Sequence, residues 1–257
     1  MKFSQLASFV TVLSLAALSL AGCKKDNTTP DSQTGEVDLE FEHTVGSAPL
    51  VLNTGTYATP AGDQFTVSKF KYYISNIKLT RTDGTQYVQP ESYYLVDGSA
   101  SASQHLALKD VPVGDYKGLT FTIGVDSARN VAGAQTGALD PSNAMFWSWN
   151  SGYIFAKLEG TSPQSTAPAN ALTFHIGGFK SPNNTIRTVS PAFPNTLLVR
   201  ADHSPEIHYQ VDVLKMFTGP NTIRFGTLST SMGGATSVLV ANNYAQGMFT
   251  VEHIHAN

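Results

Sequence analysis

The chain has little of what most catalytic or nucleic-acid-binding proteins display. Among its 257 residues there is one cysteine, Cys23. A single thiol forms no intramolecular disulfide, and multi-cysteine metal sites are excluded with it. Charge is sparse: Asp, Glu, Lys and Arg make up 14% of the chain and sum to −3, with the lysines and arginines scattered. Nucleic-acid binding needs a basic stripe, so no nucleic-acid partner is expected. G-x-S-x-G, H-E-x-x-H, a phosphate loop and a dinucleotide fingerprint are all missing, which leaves no nucleophile–base constellation. The expectation is a binding protein and not an enzyme. Sustained helical periodicity is missing too.

What is present begins at the N-terminus. Lys2 precedes an apolar stretch from Leu6 to Leu20, and Leu20-Ala21-Gly22-Cys23 follows. That stretch is shorter than the roughly 20 apolar residues a bilayer crossing needs, and it reads as a secretion signal. The ending resembles the bacterial lipobox. Residues 1–22 are therefore read as a lipoprotein signal peptide cut before Cys23, which takes the lipid. Residues 23–36 are polar and rich in Asn, Thr, Pro and Ser, a composition that reads as a flexible tether. Lys24-Lys25-Asp26 resembles the charged patch of surface-exported lipoproteins of the Bacteroidota. The expected location is the outer membrane, on its periplasmic or its surface side.

Residues 37–257 form the expected domain. Val37, Leu39, Phe41 and Val45 alternate with polar residues, as do Leu119, Phe121, Ile123 and Val125. Segments 172–176, 196–200, 207–213 and 247–254 continue the style, with turn residues such as Asp83-Gly84 between strands. Short alternating segments separated by turns predict an all-β antiparallel sandwich or barrel-like domain. The Gly/Ala-rich stretch 127–145 reads as a long connection with short helical turns. Asp126 and Asp140 could offer carboxylates to calcium, but without the spacing of a calcium loop.

Two residue sets carry chemistry. Met145, Trp147 and Trp149 share one face of an extended segment, which fits either an aromatic core strand or a site wall. Seven histidines form the other set, and imidazole is the commonest metal ligand. Alternation turns His43 inward with Leu39 and Phe41. It sets His175 opposite Phe174 and Ile176, and His208 opposite Ile207 and Tyr209. It gives His253 and His255 the face of Phe249 and Val251. His105 lies in a polar Ser/Gln-rich loop.

Several motifs together resemble the MbnP-like proteins, relatives of the copper-binding periplasmic partner encoded with methanobactin genes. They are Phe41-Glu42-His43-Thr44-Val45-Gly46, Lys71-Tyr72-Tyr73-Ile74-Ser75-Asn76-Ile77, Phe146-Trp147-Ser148-Trp149-Asn150-Ser151-Gly152-Tyr153 and Phe174-His175-Ile176-Gly177. The resemblance covers most of the mature chain. It implies copper held by histidines beside a tryptophan oxidised to kynurenine by a partner di-haem enzyme of the bacterial peroxidase and MauG type. On this chain Trp147 or Trp149 would be modified. His43 and His175 would be the first ligands, His208 and His255 weaker ones, with Met145 a thioether nearby. Opening an indole gives an aryl amine and a ketone, and neutral imidazoles suit copper. The alternative is a lipoprotein that uses the same β domain to hold a glycan, peptide or protein.

Replacing Cys23 by Ala is expected to abolish membrane partitioning and leave the domain folded, because the tether offers no apolar substitute for the lipid. Fractionation after a salt wash checks this; a Cys23→Ala chain that still sediments with membranes would refute lipidation at this residue.

Overall fold

The computed structural model describes residues 33–133, 135–147 and 152–255. Cys23, the signal segment, most of the tether and Trp149 lie outside the described residues. In chain order the strands are β1 (Thr34–Val45), β2 (Ala48–Pro49), β3 (Thr56–Ala58), β4 (Gln64–Arg81), β5 (Gln86–Val88), β6 (Tyr93–Asp97), β7 (His105–Pro112) and β8 (Gly114–Ile123). Then come β9 (Ala156–Thr161), β10 (Ala171–Ile176), β11 (Arg187–Val189), β12 (Ala192–Val199), β13 (Glu206–Asp212), β14 (Thr230–Met232) and β15 (Phe249–His255). Among the described residues two α-helices join them, α1 (Ser127–Val131) and α2 (Gly234–Tyr244). Neither is long and apolar enough to cross a membrane.

The strands form two sheets. The five-stranded sheet runs β15-β13-β1-β2, with β7 also on β1; the ten-stranded sheet runs β11-β8-β4-β9-β10-β14, with β3, β5 and β6 on β4 and β12 on β8. Most pairings are antiparallel, but β1·β13 and β10·β14 are parallel. Parallel neighbours need long crossovers. Both pairs have them, since β1 and β13 lie at opposite ends of the domain's sequence and three strands intervene between β10 and β14. β1 begins at Thr34, inside the segment read as tether. Thr34 and Gly35 pair with Pro112 and Val111 of β7, so backbone pairing extends the strand beyond its apolar pattern.

Alternation explains which residues meet between the sheets. Val37, Leu39 and Phe41 of β1 are wholly buried, while Asp38 and Glu40 between them, and Glu42 after them, face outward. The middle of the sandwich is aromatic. Phe41 stacks on Tyr209 at 5.2 Å between ring centroids and meets Tyr72 of the other sheet edge-on at 6.3 Å. Phe249 meets Phe121 and Tyr72 at 5.0 and 5.4 Å. Edge-to-face pairs at such distances add about 0.5–1.5 kcal/mol beyond area burial.

The stretch 127–145 carries α1 and two single 3₁₀ turns, Gly137–Leu139 and Pro141–Asn143. Asp126 caps α1 by accepting from the Ala128 and Arg129 amides, and Asp140 accepts from the Ser142 amide. Each carboxylate is thus engaged by backbone through its Oδ1.

His43 continues the inward face of β1. It is 7% exposed, lies edge-on to Phe70 and Tyr72, and shares a 3.0 Å hydrogen bond between Nε2 and the Tyr72 hydroxyl. Burial lowers its pKa to about 4, against a weaker opposing pull from Asp97. The unfolded chain takes up a proton near pH 6.5 that the folded chain refuses until about pH 4, so stability falls as the pH drops through that window. The size of this loss is about 3 kcal/mol. Denaturant titrations of wild type and His43→Gln across pH 4–7 check it: the stability difference between them is expected to shift by that amount against wild type on acidification. A difference independent of pH would show that His43 does not carry the linkage.

Candidate metal-binding sites

On β4, Phe70, Tyr72 and Ile74 face the sandwich interior. Tyr73 points the other way yet is wholly buried, because chain packs over the outer face of the ten-stranded sheet. Met145, Trp147, Tyr153 and Phe155 make a second apolar cluster there with Tyr73 and Phe179. Tyr73 and Tyr153 anchor the cover by donating to the carbonyls of Ala138 (2.9 Å) and Leu139 (2.8 Å). A ladder forms from the Ile154 amide to the Met145 carbonyl (2.8 Å) and from the Trp147 amide to the Gly152 carbonyl (3.3 Å). Lys157 donates to the carbonyl of Ala144 and ties the start of this segment to β9.

Trp147 is 4% exposed and lies against two glycines. A Cβ at Gly177 would come within 2.7 Å of its ring, and one at Gly233 within 3.7 Å. Only the absence of a side chain at Gly177 admits the indole.

Those glycines follow His175 and Met232. Phe174 and Ile176 are buried inward, so His175 faces outward, and Gly177 is the first residue after the end of β10. His175 is the register partner of Met232 in the parallel β10·β14 pair. Ser231 beside Met232 is buried while Met232 is 39% exposed, so its thioether stands on the same outer face as His175. Glu159 Oε1 lies 2.9 Å from His175 Nε2, and Glu159 Oε2 bonds Lys69 at 2.8 Å. Burial lowers the His175 pKa, opposed by the Glu159 hydrogen bond and helped by the charge of Lys157. The imidazole is therefore neutral at neutral pH. With Glu159 accepting from Nε2–H, its Nδ1 lone pair is the free donor.

The structure does not bring His43 to this place. His43 sits between the sheets against Phe70 of β4, whereas His175 stands on the opposite face of β10, with β9 between β4 and β10. Two strand spacings of about 4.8 Å and the thickness of the sheet separate them. Expecting the pair to share one copper is corrected accordingly. Alternation put the His43 imidazole between the two sheets and the His175 imidazole on the outer face of the ten-stranded sheet, and His43 is spent on Tyr72.

Four of the remaining histidines, His105, His208, His253 and His255, gather on the outer face of the five-stranded sheet. Register places His105, Glu40, His208 and His253 in one row across β7, β1, β13 and β15, with Glu206 beside His255 in the next row. His253 and His255 do not share the face of Phe249, as simple alternation expects. Tyr209 pairs with Val251 but His208 pairs with His253, so Glu252 is an extra residue in β15. Such a bulge reverses the parity beyond it. Phe249 and Ile254 both reach the core, and the two histidines turn out.

The rings of His208 and His253 stack at 4.2 Å, and His255 meets them at 5.0 and 4.4 Å. One ligand atom from each of the three lies within 4.8 Å of the others. Glu40 Oε2 is 2.8 Å from His208 Nδ1, and Glu40 Oε1 is 3.8 Å from His105 Nε2. His203 stands apart, bonded to Asp202 at 2.8 Å.

No metal-ligand spacing in the sequence singles out Met232, Glu40, Glu206 or Glu159, and His253 shows only the weak His253-x-His255 spacing. The glutamates are visible only as the outward members of alternating strands. Met232 carries no local signal, because its neighbour His175 comes from a crossover of more than fifty residues.

Comparison with known proteins agrees with this architecture. The MbnP family model matches residues 34–236, from the first residue of β1 into α2. Among solved structures, MbnP from Methylosinus trichosporium is similar with a TM-score of 0.54 at 14% sequence identity, covering 87% of this chain and 100% of that one; at this identity the likeness is one of fold. No curated protein matches in sequence. With one family model spanning nearly every strand of both sheets, the chain belongs to the MbnP family.

Proposed function

We propose that this protein is a copper-binding lipoprotein of the cell envelope, anchored through Cys23, that captures or hands on copper and has no catalytic activity of its own. One observation carries the reading: His175 and Met232 are cross-strand neighbours on one face, and the Trp147 ring lies on the glycines that follow them. A neutral imidazole and a thioether form a soft donor pair of the kind Cu(I) prefers, and Cu(I) accepts few ligands.

Trp147 supplies the rest of the proposal. Oxidised to kynurenine by a di-haem partner of the MauG and peroxidase type, it would offer an aryl amine and a ketone where the indole now packs. Met145, wholly buried in the same apolar cluster as Trp147, holds the segment in place. Glu159 orients the His175 ring, and Lys69 holds Glu159, the outer support that ligating histidines ordinarily have.

Competition against a Cu(I) chelator tests this. His175→Ala and Met232→Leu are each expected to weaken Cu(I) binding about tenfold or more, on the order of 1.4 kcal/mol, and His43→Gln to leave it unchanged. Protein made with the di-haem partner is expected to bind more tightly than protein that keeps both indoles. Equal affinity in wild type, His175→Ala and Met232→Leu would reject the site and favour the binding or adhesion role.

A further inference from the structure

We infer that the outer face of the five-stranded sheet holds a second metal site, in which His208, His253 and His255 bind one borderline divalent cation of the zinc or copper(II) class. It is independent of the copper reading above, since it uses different residues on the other sheet. Two of its three imidazoles, His253 and His255, also lie beyond residues 34–236, the stretch the family model matches.

The geometry is close to that of a bound ion. Nitrogens bonded to a tetrahedral zinc at about 2.0–2.1 Å stand about 3.3 Å from one another. The three histidines already offer nitrogens within 4.8 Å. The remaining gap is small. The His208 and His253 rings are stacked at 4.2 Å and 23°, so ligation requires the partly exposed His253 and the exposed His255 to turn about their side-chain bonds until their nitrogens converge with that of His208. Nothing about core packing asks for this cluster. The bulge at Glu252 satisfies the core through Phe249 and Ile254, and the imidazoles project away from it.

His208 shows the need for a cation most clearly. Its Nδ1 faces Glu40 Oε2 at 2.8 Å, which favours a proton on that nitrogen. Its Nε2 is buried and has no hydrogen-bond partner, although Glu206 Oε2 lies 3.2 Å away out of line for one. In the tautomer whose Nδ1–H is directed at Glu40, the Nε2 lone pair lies 3.2 Å from Glu206 Oε2. A cation between them bonds to both, with Glu206 available as a fourth ligand and Glu40 as the carboxylate that orients a ligating imidazole. The donors are nitrogen and oxygen, with no sulfur. That set suits Zn(II) and Cu(II), not the soft Cu(I), and three imidazoles make a poor site for calcium, which takes oxygen ligands.

The test is equilibrium dialysis of the full chain carrying His175→Ala and Met232→Leu, against Zn(II), Cu(II) and Ca(II) separately. One equivalent of Zn(II) or of Cu(II) is expected to bind, and no Ca(II). Adding His253→Ala or His255→Ala, both at partly or fully exposed positions, is expected to cost on the order of tenfold or more in affinity; Glu40→Gln is expected to cost about tenfold, the usual effect of losing an orienting carboxylate. His203→Ala serves as the unaffected control. Co(II) substitution gives a readout independent of affinity, the visible absorption of a tetrahedral imidazole site, which should vanish in His253→Ala. Zinc and copper(II) uptake that is absent in the parent, or unchanged in both histidine variants, would overturn the proposal and leave His208 as a hydrogen-bonding partner of the two glutamates. Calcium uptake that survives the histidine changes would overturn it as well.

Discussion

Face-to-face packing of the two sheets through Phe41, Tyr72, Phe121, Tyr209 and Phe249 is the constraint on which the other features depend. Truncating one such ring to alanine costs about 3–5 kcal/mol, a large part of the stability of an ordinary domain. Each strand must therefore present its large apolar residues to the middle, and every second residue is released to an outer face. The donor residues are distributed by that rule. His43 shares parity with Phe41 and is held inside; His175 and His208 lie between inward residues and stand outside.

Where simple alternation would conflict with the core, the backbone gives way. The extra residue at Glu252 lets both Phe249 and Ile254 pack inward, and as a consequence His253 and His255 join His208 on the outside. Covering an outer face has a similar cause. The wholly buried Tyr73 and Phe155 leave the ten-stranded sheet apolar on both sides at one place, and the segment carrying Met145 and Trp147 lies over it. The two candidate sites thus arise from two different answers to the same packing demand, and they differ in donors: imidazole and thioether beside an aromatic ring on one sheet, clustered imidazoles flanked by carboxylates on the other.

This logic also explains how far the sequence could be read. Alternation in residues 37–45 and 119–125 was enough for the β architecture and for the inward turn of His43, because packing of one face leaves a period of two. The same period failed at His253 and His255, since a one-residue bulge leaves no mark in composition. It set His43 inward and His175 outward, and the expectation that the two would share one copper came from the family resemblance and not from strand parity. The parallel pairings β1·β13 and β10·β14 are long-range facts, and with them the partners His208–Glu40 and His175–Met232 were out of reach. The strand at residues 34–36 was hidden by polar composition and exists through pairing with β7.

Separate metal positions on the two outer faces, with the buried His43 taking no part, are the central claim. Anomalous diffraction from crystals of the protein loaded with Cu(I) and Zn(II), recorded at the copper and zinc edges, tests it most directly. Copper density within bonding distance of His175 and Met232, with zinc density enclosed by His208, His253 and His255, is the expected result. Metal density against His43 between the sheets, or at neither outer face, would contradict it.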